Sequence, residues 1–210
     1  DPCAILDAGC GTGNAVKGLM SRYAGALVIA LDLALGMADQ VRRHLRWWQR
    51  LPGSRPRLSA VCGDLEGLPL TRASVGLVWS NLALQWVNDL PRAFAEMHRV
   101  LAPGGLLMFS TFGPDTLKEL REAYRGTDAH THVNRFIDMH DIGDMLVAAG
   151  YADPVMDMEQ MTLTYQSALD LMRDLKTIGA QNATRGRPGG LSGKSALQAV
   201  ERNYEKARRD

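Results

Sequence analysis

Cysteine is scarce in this 210-residue chain: Cys3, Cys10 and Cys62 are the whole set, and no two of them form a C-x-x-C pair. An odd number of widely spaced thiols in apolar or strand-end settings excludes a disulfide framework and points to reduced thiols in a cytoplasm-like compartment. An excess of one charge is also missing. Twenty-four Lys and Arg against 23 Asp and Glu leave a net charge of +1, so composition gives no global pull toward nucleic acid or an anionic membrane. No apolar run approaches the ~18 residues of a membrane span, and no signal peptide is expected before the first apolar segment. His130 and His132 form H-x-H without an acid or cysteine at ligand spacing, so no metal site is expected. Internal repeats and long low-complexity tracts are absent.

What is present is a core-forming composition, 46% hydrophobic, enough for one sizeable α/β domain with an appended helical segment. The expected division is residues 1–166 for the cofactor-binding domain and 167–210 for a helical lid or substrate segment. Near the start, Ala4-Ile5-Leu6 reads as a central parallel strand closed by Asp7, and Gly9, Gly11 and Gly13 follow at alternate positions before a helix from Asn14 to about Tyr23. Glycine permits positive φ and removes the Cβ that would hold a ligand away, so backbone is expected to approach a nucleotide-like cofactor there. An ordinary glycine-rich α/β connection is the alternative. The spacing is G-x-G-x-G, not the G-x-G-x-x-G of dinucleotide sites. A carboxylate two residues before the first glycine would repel a pyrophosphate and suits a cationic amino-acid ammonium group.

A second apolar run, 26–31, ends in Asp32 and Leu33. An acid at this strand tip is placed to accept from both ribose hydroxyls of an adenosine, or else to cap the next helix. That helix is expected over 36–50, with a row of Arg42, Arg46 and Arg50. Strands follow at 58–62 and 75–79, with Asp64 and Leu65 after the third and Asn81 after the fourth. Asp64 could accept from an adenine amino group while Leu65 packs on the ring. A helix over 90–101 stops at Pro103-Gly104-Gly105, and 106–109 makes strand five. A helix over 139–149, a sixth strand over 155–165, and helices from Ser167 onward, broken at 185–193, complete the reading.

DAGCGTG, Leu31-Asp32-Leu33, GDLEGLPL and RVLAPGG, in this order, resemble the motifs of class I S-adenosylmethionine-dependent methyltransferases. More narrowly, SNLALQWVNDL, FSTFGPDTLKELREAY, HVNRFIDMHDIGDML and LMRDLKTIGAQNA resemble the malonyl-acyl-carrier-protein O-methyltransferases of biotin synthesis over nearly the whole chain. The resemblance implies a Rossmann-like class I methyltransferase sheet with helices on both faces and a C-terminal helical segment. It also implies seven strands and an N-terminal helical segment, against which this chain reads as truncated at both ends. S-adenosylmethionine is the implied cofactor, held by Asp7, Gly9, Gly11, Gly13, Asp32, Leu33, Asp64, Leu65 and Asn81. The implied partner is an acyl carrier protein bearing a malonyl group.

The implied reaction transfers a methyl group to a free carboxylate. That nucleophile is already ionised at neutral pH, with a reference pKa near ~4, so no catalytic acid or base is assigned. Gln85, Trp86 and Phe112 are expected to shape the acceptor pocket, although the two aromatics could equally be core residues. Arg135 is the expected carboxylate ligand, with Arg121, Arg125 and Arg173 as rivals. Glu96 and Arg99 are expected to form only an i, i+3 surface pair. For the acidic carrier, the Arg42 row and the C-terminal Arg202, Lys206, Arg208 and Arg209 are rival docking patches. Two other readings share parts of the pattern: a small-molecule carboxyl methyltransferase resembling trans-aconitate methyltransferase, and a complex I assembly-factor-like arginine hydroxylase. A module that binds the cofactor without turnover is a third.

Overall fold

A computed structural model describes residues 2–43, 57–127, 133, 136–177 and 194–206. Its centre is a parallel sheet of five strands: β1 (Ala4–Ala8), β2 (Leu27–Asp32), β3 (Leu58–Cys62), β4 (Val75–Asn81) and β5 (Leu101–Ser110). Their order is β3-β2-β1-β4-β5. The order reverses between β1 and β4, and in open α/β sheets ligands lie at the carboxyl ends of the strands beside such a reversal. Register is tight where it matters: Asp7 lies opposite Ala30 and Trp79, and Asp32 opposite Cys62.

Alternation along the strands sorts side chains into two cores. Ile5, Val28, Ala30 and Leu77 point to the face covered by α1 (Val16–Arg22) and α2 (Leu35–Arg43), through Val16, Leu19 and Val41. Leu6, Ala8, Ile29, Leu31 and Val78 point to the other, covered by α3 (Leu90–Val100) and α5 (Met139–Ala148). The sheet therefore carries helices on both faces. α3 shows why: Leu90, Ala93, Phe94, Met97 and Val100 recur at helical spacing and are all buried. Each large side chain among them contributes about 1.5–3 kcal/mol by leaving water. Asp89 caps this helix by accepting from Arg92 N, and Pro91 sits in its first turn, where no N–H is needed.

The chain forms two compact units. The first, Asp1–Phe112 with His140–Met156, holds the sheet, α1, α2, α3 and α5. The second, Gly113–Met139 with Asp157–Asp210, holds α4 (Lys118–Tyr124), α6 (Ala168–Thr177) and α7 (Lys194–Glu205). Inside the second, Leu120, Val133 and Leu171 make a small core, and Asn203 Nδ2 donates to Ala123 O at 3.1 Å. The expected boundary after residue 166 falls inside this second unit.

Several elements differ from expectation. Residues 155–165 form no strand, and Val155 is 92% exposed, with Met158, Met161 and Leu163 also exposed. Alternating apolar residues make a strand only where a partner edge and a covering layer accept them, and among the described residues this segment pairs with no strand. The Pro103-Gly104-Gly105 turn is a bulge inside β5 and does not precede it: Leu101 pairs with Val75 and Leu106 with Leu77, and Gly104 takes φ +75°. α1 begins at Val16, after a turn in which Val16 N donates to Gly13 O. The second half of the expected 36–50 helix, with Arg46 and Arg50, lies outside the described residues.

Candidate active site

Asp7 is the last but one residue of β1 and is 2% exposed; its Oδ2 has no hydrogen-bond partner. Burial, with the Asp32 carboxylate as the lesser cause, pushes its carboxyl up to about 7. Beyond it the chain folds onto the tip of β2. Gly9 N and Cys10 N both donate to Leu31 O, at 2.8 and 2.9 Å, and Gly11 N donates to Asp32 Oδ2 at 2.9 Å. Gly9, Gly11 and Gly13 all have positive φ, at +78°, +52° and +87°. Two of them meet quite different surroundings. A Cβ at Gly9 would overlap the Ala83 methyl, whereas one at Gly11 would meet nothing within 4 Å. Gly9 thus serves packing, and Gly11 leaves space. Burial, then Asp7 and Asp32, push the Cys10 thiol up to about 12, so it stays protonated and unreactive at neutral pH.

The two sequence readings of Asp32 are both visible. Its Oδ1 accepts from Ala34 N at 2.8 Å, a turn that leads into α2, while Oδ2 holds the glycine loop. Each oxygen retains a further lone pair for a ligand hydroxyl. Leu33 is 71% exposed beside it and Leu35 is exposed too, an apolar shelf at the strand tip. After β3, Asp64 is exposed and turns the chain by accepting from Glu66 N at 2.9 Å. Leu65 is 9% exposed, and its side chain belongs to the core cluster with Leu68 and Val78.

On the far side of the reversal, Asn81 ends β4 and its Oδ1 accepts from Ser110 Oγ at 2.6 Å. Leu82 takes φ +50°, a left-handed conformation that costs a non-glycine residue about 1–3 kcal/mol and often marks functional loops. A short 3-10 helix, Leu84–Trp86, follows. Gln85 Nε2 donates to Leu82 O at 2.6 Å, and its Oε1 is buried without a partner. Trp86 is 42% exposed and belongs to none of the core clusters of the described residues. Phe112 lies half-buried two residues past β5. The strand tips of one sheet thus gather the glycine loop, Asp32, Leu33, Asp64, Asn81, Gln85, Trp86 and Phe112. Arg135, His130, His132, Arg208 and Arg209 lie outside the described residues. Of the rivals to Arg135, Arg121 donates to Pro114 O and Thr116 O, Arg125 pairs with Glu122, and Arg173 pairs with Asp170. Arg42 is engaged by Asp39 at 2.9 Å.

Sequence reasoning missed three supports. Ala83 closes on Gly9. Ser80 Oγ, buried, donates to Ala8 O at 2.9 Å and ties β4 to β1. Glu96 and Arg99 do far more than pair on a surface: both carboxylate oxygens meet the guanidinium, at 2.7 and 2.8 Å. Arg99 also donates to Leu68 O and Leu70 O, and Glu96 accepts from Leu68 N. The hydrogen bonds to Arg99 hold the Glu96 carboxyl below the usual range.

The residues fit a ligand that joins a cation to an adenosine: a buried carboxylate oxygen without a donor, free lone pairs on Asp32, an apolar shelf and open space at Gly11. Residues 6–109 match the methyltransferase domain family. A malonyl-acyl-carrier-protein O-methyltransferase of Gallionella capsiferriformans is 56% identical over 100% of this chain and 72% of its own length. One of Coxiella burnetii is 42% identical over 100% of this chain and 68% of its own. Among solved structures, the YcgJ protein of Bacillus subtilis superposes with a TM-score of 0.63 at 15% identity, covering 95% of this chain and 76% of that one. An S-adenosylmethionine-dependent methyltransferase of Mesorhizobium loti gives 0.55 at 23% identity, over 71% and 74%. These two likenesses speak for the fold. The extent and identity of the sequence matches, on top of a glycine loop clamped to a strand-tip acid, establish that the chain belongs to the malonyl-acyl-carrier-protein O-methyltransferase family.

Proposed function

We propose that this chain transfers the methyl group of S-adenosylmethionine to the free carboxylate of a malonyl group carried by acyl carrier protein, giving the methyl ester. The observation that carries the reading is the 56% identity, over the chain's whole length, to a relative of that name. The strand-tip geometry supports the cofactor. Asp7 Oδ2 would take the ammonium group, Asp32 the ribose hydroxyls, and Leu33 the adenine ring with Asp64 accepting from its amino group. Gly11 would admit the ligand to the backbone, with Gly9 and Gly13 supplying the left-handed turns of the loop, Leu65 would support the turn from within the core, and Asn81 would border the site from β4. Bound there, S-adenosylmethionine supplies an electrophilic methyl group on a sulfonium.

The chain's own contribution is position and dryness. The acceptor carboxylate needs no proton removed, so Gln85, Trp86 and Phe112 have to hold it in line and shed its water, at an oxygen-to-carbon distance of roughly 3 Å. We assign the acceptor carboxylate to Arg135 and a cytoplasmic setting to the reaction. Incubation with labelled cofactor and malonyl carrier protein tests the proposal. Label in an ester on the carrier, with release of S-adenosylhomocysteine, is the expected result. Label on a free small acid, or an oxidised side chain in a protein, would overturn it.

A further inference from the structure

Between the cofactor turn and the acceptor loop stands a side chain that neither role has absorbed. Glu66 follows Asp64 and Leu65 after β3, and its own N–H donates to Asp64 Oδ1 at 2.9 Å. Its Oε1 accepts two backbone N–H groups from the far side of the site, Asn88 N at 2.9 Å and Asp89 N at 3.0 Å. Asn88 lies two residues beyond the 3-10 helix that carries Gln85 and Trp86. Asp89 is the cap of α3. One carboxylate oxygen therefore joins a residue expected at the adenine to the segment expected at the acceptor.

We propose that Glu66 is a positioning residue for the methyl transfer, setting where the Gln85–Trp86 loop stands relative to the cofactor turn. The inference rests on the acceptor-side role assigned to Gln85 and Trp86. The turn at 64–70 does not depend on Glu66 for its own place, because Glu96 and Arg99 hold it independently through Leu68 and Leu70. Nor does α3 depend on it for a start, since the Asp89 side chain accepts from Arg92 N and its carbonyl from Ala93 N. Removing the Glu66 carboxylate thus releases mainly the 84–89 segment. A misplacement of about 1 Å in a positioned reactant can cost up to 10²-fold in rate.

The test compares Glu66→Ala and Glu66→Gln in the full chain. The amide oxygen of Gln can still accept both N–H groups, so this variant should keep wild-type behaviour, which separates the hydrogen bonds from the charge. Glu66→Ala should lower kcat/KM for the malonyl thioester by about tenfold or more, with cofactor affinity and melting temperature unchanged. Amide exchange at Asn88 and Asp89 should quicken in Glu66→Ala and not in Glu66→Gln, with 64–70 still protected. Equal losses in cofactor affinity, stability and turnover would overturn the proposal in favour of a purely structural role. Unchanged exchange at Asn88 and Asp89 would overturn the hold itself. That arm needs no turnover, so a wild-type chain that methylates no malonyl thioester would refute the acceptor reading and leave the exchange result to decide for or against the hold.

Discussion

Around the tips of β1 and β2 the chain closes on itself through backbone N–H groups, Gly9 and Cys10 donating to Leu31 O and Gly11 and Ala34 to the one side chain in the clamp, the Asp32 carboxylate. The tips of β4 and β5 are finished by side chains instead: Asn81 with Ser110, Gln85 with Leu82 O, an exposed Trp86 and a left-handed Leu82. The first plan has almost nothing that substitution can adjust without cost to the fold. The second is a set of side chains on a short loop. A methyl donor is common to every turnover and suits the fixed side, whereas an acceptor has to be discriminated and suits the adjustable one.

The comparison breaks first at Asp7. Burial pushes its folded carboxyl up to about 7, from the ~4 of an ordinary aspartate. The folded chain therefore holds a proton that the unfolded chain releases between these two values, and stability falls as pH rises through that window. The penalty is absent below ~4 and complete above ~7, on the order of 4 kcal/mol at ~1.4 kcal/mol per unit. Asp7→Asn should remove it, so denaturant unfolding should show the variant gaining on wild type between pH 4 and pH 8. A constant difference would mean that Asp7 is already ionised in the folded chain.

Next come the glycines. Gly9→Ala combines a left-handed φ with overlap at Ala83 and should cost about 2–3 kcal/mol of stability. Gly11→Ala has only the φ to pay and should cost about 1 kcal/mol, yet weaken cofactor binding by filling open space. Urea unfolding beside calorimetry separates the two, and equal stability losses would erase the distinction. Asp32→Ala should weaken cofactor binding by about 1–3 kcal/mol on a chain that still folds; unchanged affinity would remove Asp32 from the site. Smallest is an expected constancy. Single-turnover methyl transfer at saturating cofactor should stay flat from about pH 6 to 8, because an already ionised carboxylate needs no general base with a pKa of ~6–7. A tenfold rise would reveal one.

Much of the first side was readable in the sequence because its signals are local. Continuous apolar runs gave β1 and β2, alternate glycines gave the loop, and an acid at a strand tip gave Asp32. The direction of Leu65 was not legible, because a leucine beside an exposed acid carries no mark of which way it turns, and the structure turns it inward. Residues 155–165 misled because alternation is a property of the chain while a strand is a property of a pair. Glu66 left no signal at all: its partners are backbone amides 22 and 23 residues away, and any residue type offers the same N–H. The Glu96–Arg99 pair was visible as spacing, but its grip on Leu68 and Leu70 needed the fold.

On the acceptor role proposed for the loop after β4, the near-contact of Gly9 with Ala83 sets the terms for re-engineering acceptor choice. Position 83 has no room for a larger side chain, so a library over the loop should leave it fixed. Positions 82 and 86 face water and can be randomised, with glycine admitted at 82 to relieve the left-handed backbone. New acceptors can then be sought with the glycine loop and its contact with position 83 untouched.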